Sequence, residues 1–144
     1  MQYTFSDGVR SILSLAVEEA DALHHDYLGT GHILLALLRD VEGPAADILA
    51  ALQVDREDVR RHLLKTLRPG NQMERMGERP YTARAKRVLE SAMASTAEFG
   101  GFEVRSDNLL IGLASLPDSM ATQALASRGV NAPEVINEAR RRRQ

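Results

Sequence analysis

The chain has 144 residues and contains no cysteine and no tryptophan. Without cysteine there is no disulfide framework, no thiol nucleophile and no thiolate-held zinc or iron–sulfur centre. Aromatic residues are scarce, three Tyr and three Phe, so there is no row of rings on which nucleic-acid bases could stack. Lysine is nearly absent: Lys65 and Lys86 are the only two, and the other 16 of the 18 basic residues are Arg. The formal net charge is −2, and without the run Arg140–Arg143 the remainder carries 14 bases against 20 acids, or −6. That balance disfavours a globally basic nucleic-acid binder. No apolar run approaches the roughly 20 residues that span a bilayer. The start, Met1 to Asp7, lacks a basic stretch and an apolar core, so a secretory signal is not expected and a cytoplasmic setting is.

What is present is helix-forming. Ala and Leu each occur 19 times, whereas the β-branched and aromatic residues that favour strands are few. A chain of this length buries about two-thirds of its unfolded surface and needs no covalent staple.

Placed over residues 81–144 at an offset of 76, residues 5–68 align without a gap. Phe5-Ser6 falls on Tyr81-Thr82, Leu13 and Ala16 fall on Leu89 and Ala92, and Ile33 to Leu37 falls on Leu109 to Leu113. Ala45, Leu49, Val54 and Val59 fall on Ala121, Leu125, Val130 and Val135. A fixed offset that preserves apolar spacing, caps and breakers together is the mark of an internal repeat. Each half reads as four helices. Ser6 caps the first, whose apolar face is Val9, Ile12, Leu13, Ala16, Ala20 and Leu23. Gly29-Thr30 breaks and recaps the chain before a short second helix. Gly43-Pro44 opens a third, with Pro in the first turn where its missing N–H costs nothing. Asp55 caps a fourth, with Asp58 placed as in a capping box. In the second half Thr82 and Ser106 are the matching caps, Gly100-Gly101, Pro117 and Gly129 the breakers, and Asn131 with Pro133 the last start. The predicted fold is all-α, eight helices in two pseudo-twofold repeats. The expected organisation is a single domain, 1–144, with repeats 5–68 and 81–144 joined by a polar, Pro-bounded linker, 69–80. The predicted core is Leu13, Ala16, Ile33, Leu34, Leu37, Leu49 and their partners 76 residues on.

Catalytic and metal signatures are missing. His24, His25, His32 and His62 show no HExxH spacing and no carboxylate at ligand distance in sequence, and read as polar helix ends. There is no GxSxG nucleophile elbow and no GxxxxGK[ST] phosphate loop. Glu18-Glu19 reads as a solvated helix face. The expectation is a non-enzyme with no metal and no cofactor. The Arg140–Arg143 run reads as a solvated helix end favoured by the helix dipole, with phosphate gripping in a nucleic-acid-binding helical protein as the distant alternative.

Leu28-Gly29-Thr30-Gly31-His32-Ile33-Leu34-Leu35-Ala36-Leu37, Glu42-Gly43 with Ala45-Ala46 and Leu49, and Tyr81-Thr82-Ala83-Arg84-Ala85-Lys86-Arg87-Val88-Leu89 together resemble the double Clp-N repeat at the N-terminus of Clp ATPases, of the ClpC type. The resemblance covers about residues 4 to 140. It implies eight helices in two pseudo-twofold repeats. It also implies a non-catalytic module that docks adaptor or substrate proteins for an AAA+ unfoldase ring feeding the ClpP protease. Some such domains bind cyclic-peptide antibiotics. The alternative within the resemblance is a free-standing Clp-N regulator that binds Clp components or adaptors.

The resemblance further implies a phospho-arginine pocket in each repeat. There a Glu of the glycine-threonine-glutamate motif holds the guanidinium, and the capping Thr with the start of the long helix holds the phosphate. Both halves obey ordinary physics, a carboxylate forking onto a guanidinium and a helix N-terminus favouring an anion. In the first repeat Ser6 keeps the hydroxyl, but Gly31 stands at the acid position and Asp7 sits beside the phosphate position, so this pocket is expected to be dead. In the second repeat Thr82 is kept, with Arg84 and Lys86 close by, and Asp107 stands at the acid position one methylene short. That pocket is expected to be weak but alive, the alternative being that Asp107 only stabilises the first turn of its helix.

Overall fold

The computed structural model describes residues 3–70 and 79–143. Most of the expected linker, 71–78, therefore lies outside the described residues. The elements run β1 (Thr4–Phe5), α1 (Asp7–Ala22), α2 (Thr30–Arg39), α3 (Pro44–Ala51) and α4 (Arg56–Thr66). They continue with α5 (Ala83–Glu98), β2 (Glu103–Val104), α6 (Ser106–Ser115), α7 (Met120–Ala126) and α8 (Ala132–Arg142). The fold is all-α with eight helices among the described residues. The helix starts Asp7 and Ala83, Thr30 and Ser106, Pro44 and Met120, and Arg56 and Ala132 differ by 76 in every case.

Local chemistry explains the starts. Ser6 Oγ accepts the Val9 N–H and Thr82 Oγ1 the Ala85 N–H, both at 3.1 Å. These bonds satisfy one orphan donor at the head of each long helix. Asp55 and Asn131 accept from Asp58 and Glu134 in the same way. Asp58 does not complete a capping box; its carboxylate turns instead to Arg61 and Arg128. The backbone also repeats where the sequence does not. His24 and Gln53 take φ of 57°, and the positions 76 residues on are Gly100 and Gly129, with φ of 80° and 78°.

The short helices α2 and α6 form the centre. Every residue from Thr30 to Leu38 and from Ser106 to Ala114 is buried. The long helices α1 and α5 pack on them from outside. One apolar cluster holds Ala16, Ile33, Leu34, Leu37 and Leu49 together with Leu109, Leu110, Leu113 and Leu125, with residues of both halves interleaved. Leu13 and Leu89, expected in the core, are only half-buried against it. They sit at the edge of the helix face rather than its centre, which Val9, Ile12 and Ala16 occupy.

Three expectations are corrected. The N-caps of α2 and α6 are Gly29 and Arg105, so Thr30 and Ser106 are first helical residues rather than caps. Glu19 is not solvated: it is buried and meets Arg60 at 3.0 Å and Arg39 at 3.8 Å, a charge drawn inward because α4 brings a guanidinium over it. His25 and His32 are not polar helix ends but a buried, hydrogen-bonded pair.

A further feature carried no signal in the sequence. β1 pairs in parallel with β2, Phe5 against Val104, and a lone parallel bridge joins Leu28 to Tyr81. Position 81 is position 5 plus 76 and position 104 is position 28 plus 76, so each entry strand pairs with the other repeat. Ser6 N–H donates to Val104 O at 2.9 Å and Thr82 N–H to Leu28 O at 2.9 Å. The start of each long helix is thereby fixed beside the start of the opposite repeat's central helix.

Candidate ligand-binding grooves

That crossing decides which side chains meet. Thr82 and Arg84, at the head of α5, line a groove with Gly31, Tyr27, Leu67 and Met120, of about 330 Å³. Asp107 lines a different groove, of about 280 Å³, with Pro44, Asp47, Arg105 and Arg143. Lys86 lines neither and is exposed. The residues sought together in the second repeat, Thr82, Arg84, Lys86 and Asp107, are thus divided between two places. Ser6 caps α1, and Asp7 beside it is fully exposed with Arg10 at 3.7 Å.

The two grooves are equivalent by the 76-residue offset and chemically opposite. At the acid position Asp107 is buried, 2% exposed. Arg143 grips it bidentately, Nε to Oδ2 at 2.9 Å and Nη2 to Oδ1 at 2.7 Å. Arg143 Nη2 also donates to Asn108 Oδ1 at 2.9 Å, and its guanidinium lies 4.7 Å from the Phe99 ring centroid. A planar fork on a carboxylate over an aromatic face is the preferred setting of a guanidinium. The basic run therefore departs from a solvated helix end: Arg143 turns inward, while Arg141 and Arg142 pair with Glu138. Sequence reasoning missed Arg143 as Asp107's partner, although the offset placed Arg143 on Leu67.

At the equivalent places of the first groove stand Gly31 and Leu67. A Cβ on Gly31 would meet Leu67 Cδ1 at 3.0 Å and Met120 Sδ at 3.2 Å. The space of the missing carboxylate is thus filled by hydrocarbon, and Leu67 is 5% exposed. Beside it His32 is fully buried. Its Nδ1 accepts the Gly29 N–H at 3.0 Å, which places its proton on Nε2, facing His25 Nδ1 at 2.8 Å. His25 Nε2 in turn donates to Arg68 O at 2.7 Å. Burial and the neighbouring His25 lower the His32 pKa from 6.5 to about 4, so the floor of this groove is uncharged at neutral pH. Among the described residues no group of three or more His, Cys, Asp or Glu could hold a metal.

Residues 4–140 match the model of the Clp repeat (R) N-terminal domain. The chain belongs to this Clp N-domain family. It is 35% identical over 136 residues to the negative regulator of genetic competence ClpC/MecB of Bacillus subtilis strain 168, which covers 94% of this chain and 16% of that protein. The chain thus spans about one-sixth of the length of such relatives. Among solved structures it resembles the Hsp104 N-terminal domain of Candida albicans, with TM-score 0.76, 18% identity, and 96% and 89% of the two chains covered. It also resembles a ClpV N-domain in complex with a VipB peptide, with TM-score 0.72, 14% identity, and 94% and 88% covered. Clp N-domains of this fold are protein-interaction modules without a catalytic centre of their own. No helix among the described residues is long and apolar enough to cross a membrane.

Proposed function

We propose that this Clp N-domain is the docking module of a ClpC-type AAA+ unfoldase that works with the ClpP protease in the cytoplasm, receiving adaptor or substrate polypeptides. In this reading it acts as one domain of two repeats, 5–68 and 81–144, joined by 69–80. The observation that carries it is the open groove between the repeats, in which Thr82 and Arg84 face Gly31, Leu67 and Met120. A trough built from both repeats, apolar below and polar at the rim, suits an extended peptide better than a reacting small molecule. The likeness to ClpC over nearly the whole chain, and a neighbour of the same fold that holds a peptide, support it. The phospho-arginine site centred on Asp107 belongs to the same proposal, and it requires that the Arg143 guanidinium leave the carboxylate.

The test is a graft. The N-domain of a ClpC unfoldase is replaced by this chain, and degradation of casein by the chimera with ClpP is followed. Degradation that is lost when the graft is omitted supports the reading. A chimera that hydrolyses ATP but degrades casein no faster than the N-domain-deleted ring overturns it.

A further inference from the structure

We infer that the groove floored by Gly31 and Leu67 selects an apolar side chain flanked by carboxylates, and not the guanidinium that the equivalent groove around Asp107 is built to hold. This rests on the docking reading and names the chemistry of what docks. The starting point is the paired exchange across the offset. Buried Asp107 and half-buried Arg143 form an ion pair in one groove, and Gly31 and Leu67 replace both members in the other. Losing only the acid would leave an unpaired cation and losing only the base a buried anion, so the exchange keeps each floor electrically satisfied. The outcome is one groove closed by its own guanidinium and one left open with a hydrocarbon floor.

The rim of the open groove supplies the sign. Arg84 is exposed and has no ion-pair partner among the described residues. Among the described residues no carboxylate lines the groove; Asp26, next to the lining Tyr27, lies outside it and has its own interaction. His32, in the floor, is neutral at pH 7. The described residues therefore present a positive rim, Arg84, over an apolar base. That arrangement attracts and orients a segment carrying Asp or Glu beside a Leu-like residue, and repels one carrying Arg or Lys. A larger depression of about 660 Å³ between α1, α2 and α4 offers no such preference. Its lining acids Glu18, Glu19 and Glu57 equal its bases Arg39, Arg56 and Arg60 in number, and most are held within the chain: Glu18 and Glu19 with Arg39, Glu19 with Arg60, and Arg56 on the Leu38 and Asp40 carbonyls.

Three short fluorescein-labelled peptides, identical except for a central Asp-Leu-Asp, Lys-Leu-Lys or Asp-Ser-Asp, separate the terms by fluorescence anisotropy. The Asp-Leu-Asp peptide is expected to bind about tenfold more tightly than either of the others. Arg84→Glu should abolish that advantage and favour Lys-Leu-Lys. Ala83→Trp, which projects a ring from an exposed position into the groove mouth, should weaken all three. Both sites are exposed, so neither variant should lower the melting temperature by more than a degree or two. Equal binding of the three peptides, a ranking that survives Arg84→Glu, or binding that Ala83→Trp leaves unchanged overturns the inference. If the chimera degrades casein while the peptides show no ranking, the inference fails and the docking reading stands. If the ranking holds and the chimera is inert, the docking reading fails and the groove's selectivity stands.

Discussion

Thr30 and Ser106 each serve the opposite repeat. Ser106 Oγ accepts the Ala45 N–H at 3.0 Å, at the head of α3, and Thr30 Oγ1 faces the Ala121 N–H at 3.4 Å, at the head of α7. Ala121 is Ala45 plus 76, so the hydroxyls that open the central helices satisfy orphan donors across the pseudo-twofold. Together with the crossed strand pairings, they make each repeat complete only in the presence of the other. Ser106→Ala should cost about 1 kcal/mol, the usual loss when a helix-start donor is left unsatisfied. Thr30→Ala should cost less, because its bond lies beyond the normal range. Urea unfolding of the two variants measures the difference, and equal losses would show that the exchange is not asymmetric.

Gly112 is fixed by the approach of two helices. A Cβ there would stand 2.5 Å from Val88 O and 3.4 Å from Ala92 N, both backbone atoms of α5. Gly112→Ala should therefore destabilise by about 1–3 kcal/mol, although alanine is intrinsically the better helix former by about 1 kcal/mol. At the equivalent position the chain already has Ala36, fully buried. There the reverse change, Ala36→Gly, should destabilise as well. Thermal unfolding of both variants checks the pair; a Gly112→Ala protein as stable as wild type would mean that α5 slides without cost.

The helices were legible because their signals are local. Ser6, Asp55, Thr82 and Asn131 cap as their sequences suggest, and the offset of 76 carried every helix start. The site was less legible because an offset says which residues are equivalent but not which copy faces which. Thr82 beside Asp107 within one repeat, and Thr82 beside Gly31 across two, are the same to the eye that reads one dimension. Crossed pairing of Phe5 with Val104 and of Tyr81 with Leu28 decides between them, and two-residue strands leave no periodicity to read. The buried His25–His32 pair was missed for a related reason: its partners are a backbone N–H and a carbonyl at Arg68, which sequence does not announce.

Acid should loosen the His25–His32 pair. Every ring nitrogen of the chain from Gly29 N–H to Arg68 O is committed, so an added proton sets donor against donor. The His32 pKa is lowered to about 4 in the fold against 6.5 in a free chain. The unfolded chain therefore takes the proton first, and stability should rise with pH between about 4 and 6.5 and fall on acidification through the same window. Carboxylates also titrate near its lower end, so the comparison is with His32→Asn, which copies Asn108 at the equivalent position. That variant should be less stable at pH 7 yet show a shallower fall from pH 6.5 to 5. Identical slopes for the two proteins would remove His32 from the account.

The Asp107–Arg143 pair admits the sharpest test, because the chain itself supplies the neutral alternative. Arg143→Leu alone leaves a carboxylate buried without its guanidinium and should cost about 3 kcal/mol. Asp107→Gly alone leaves Arg143 facing the Asn108 carbonyl and the Phe99 ring, and should cost less because the cation can swing to water. The double variant Asp107→Gly/Arg143→Leu copies Gly31 and Leu67, and should recover part of the loss, with a coupling of about 1–3 kcal/mol in the cycle. A vacated socket should also accept a guanidinium from solution. Millimolar ethylguanidinium should raise the melting temperature of Arg143→Ala and leave that of the double variant unchanged. Phospho-arginine faces a harder case: in wild type it competes with a tethered guanidinium that is already bidentate, and Asp7, next to the equivalent of Thr82, opposes its phosphate. Calorimetry should therefore find only weak, millimolar binding to wild type and tighter binding to Arg143→Ala, which Asp107→Ala abolishes. Wild-type binding as strong as that of Arg143→Ala would show that Arg143 does not guard the carboxylate, and additive losses in the cycle would show that the two side chains meet without stabilising each other.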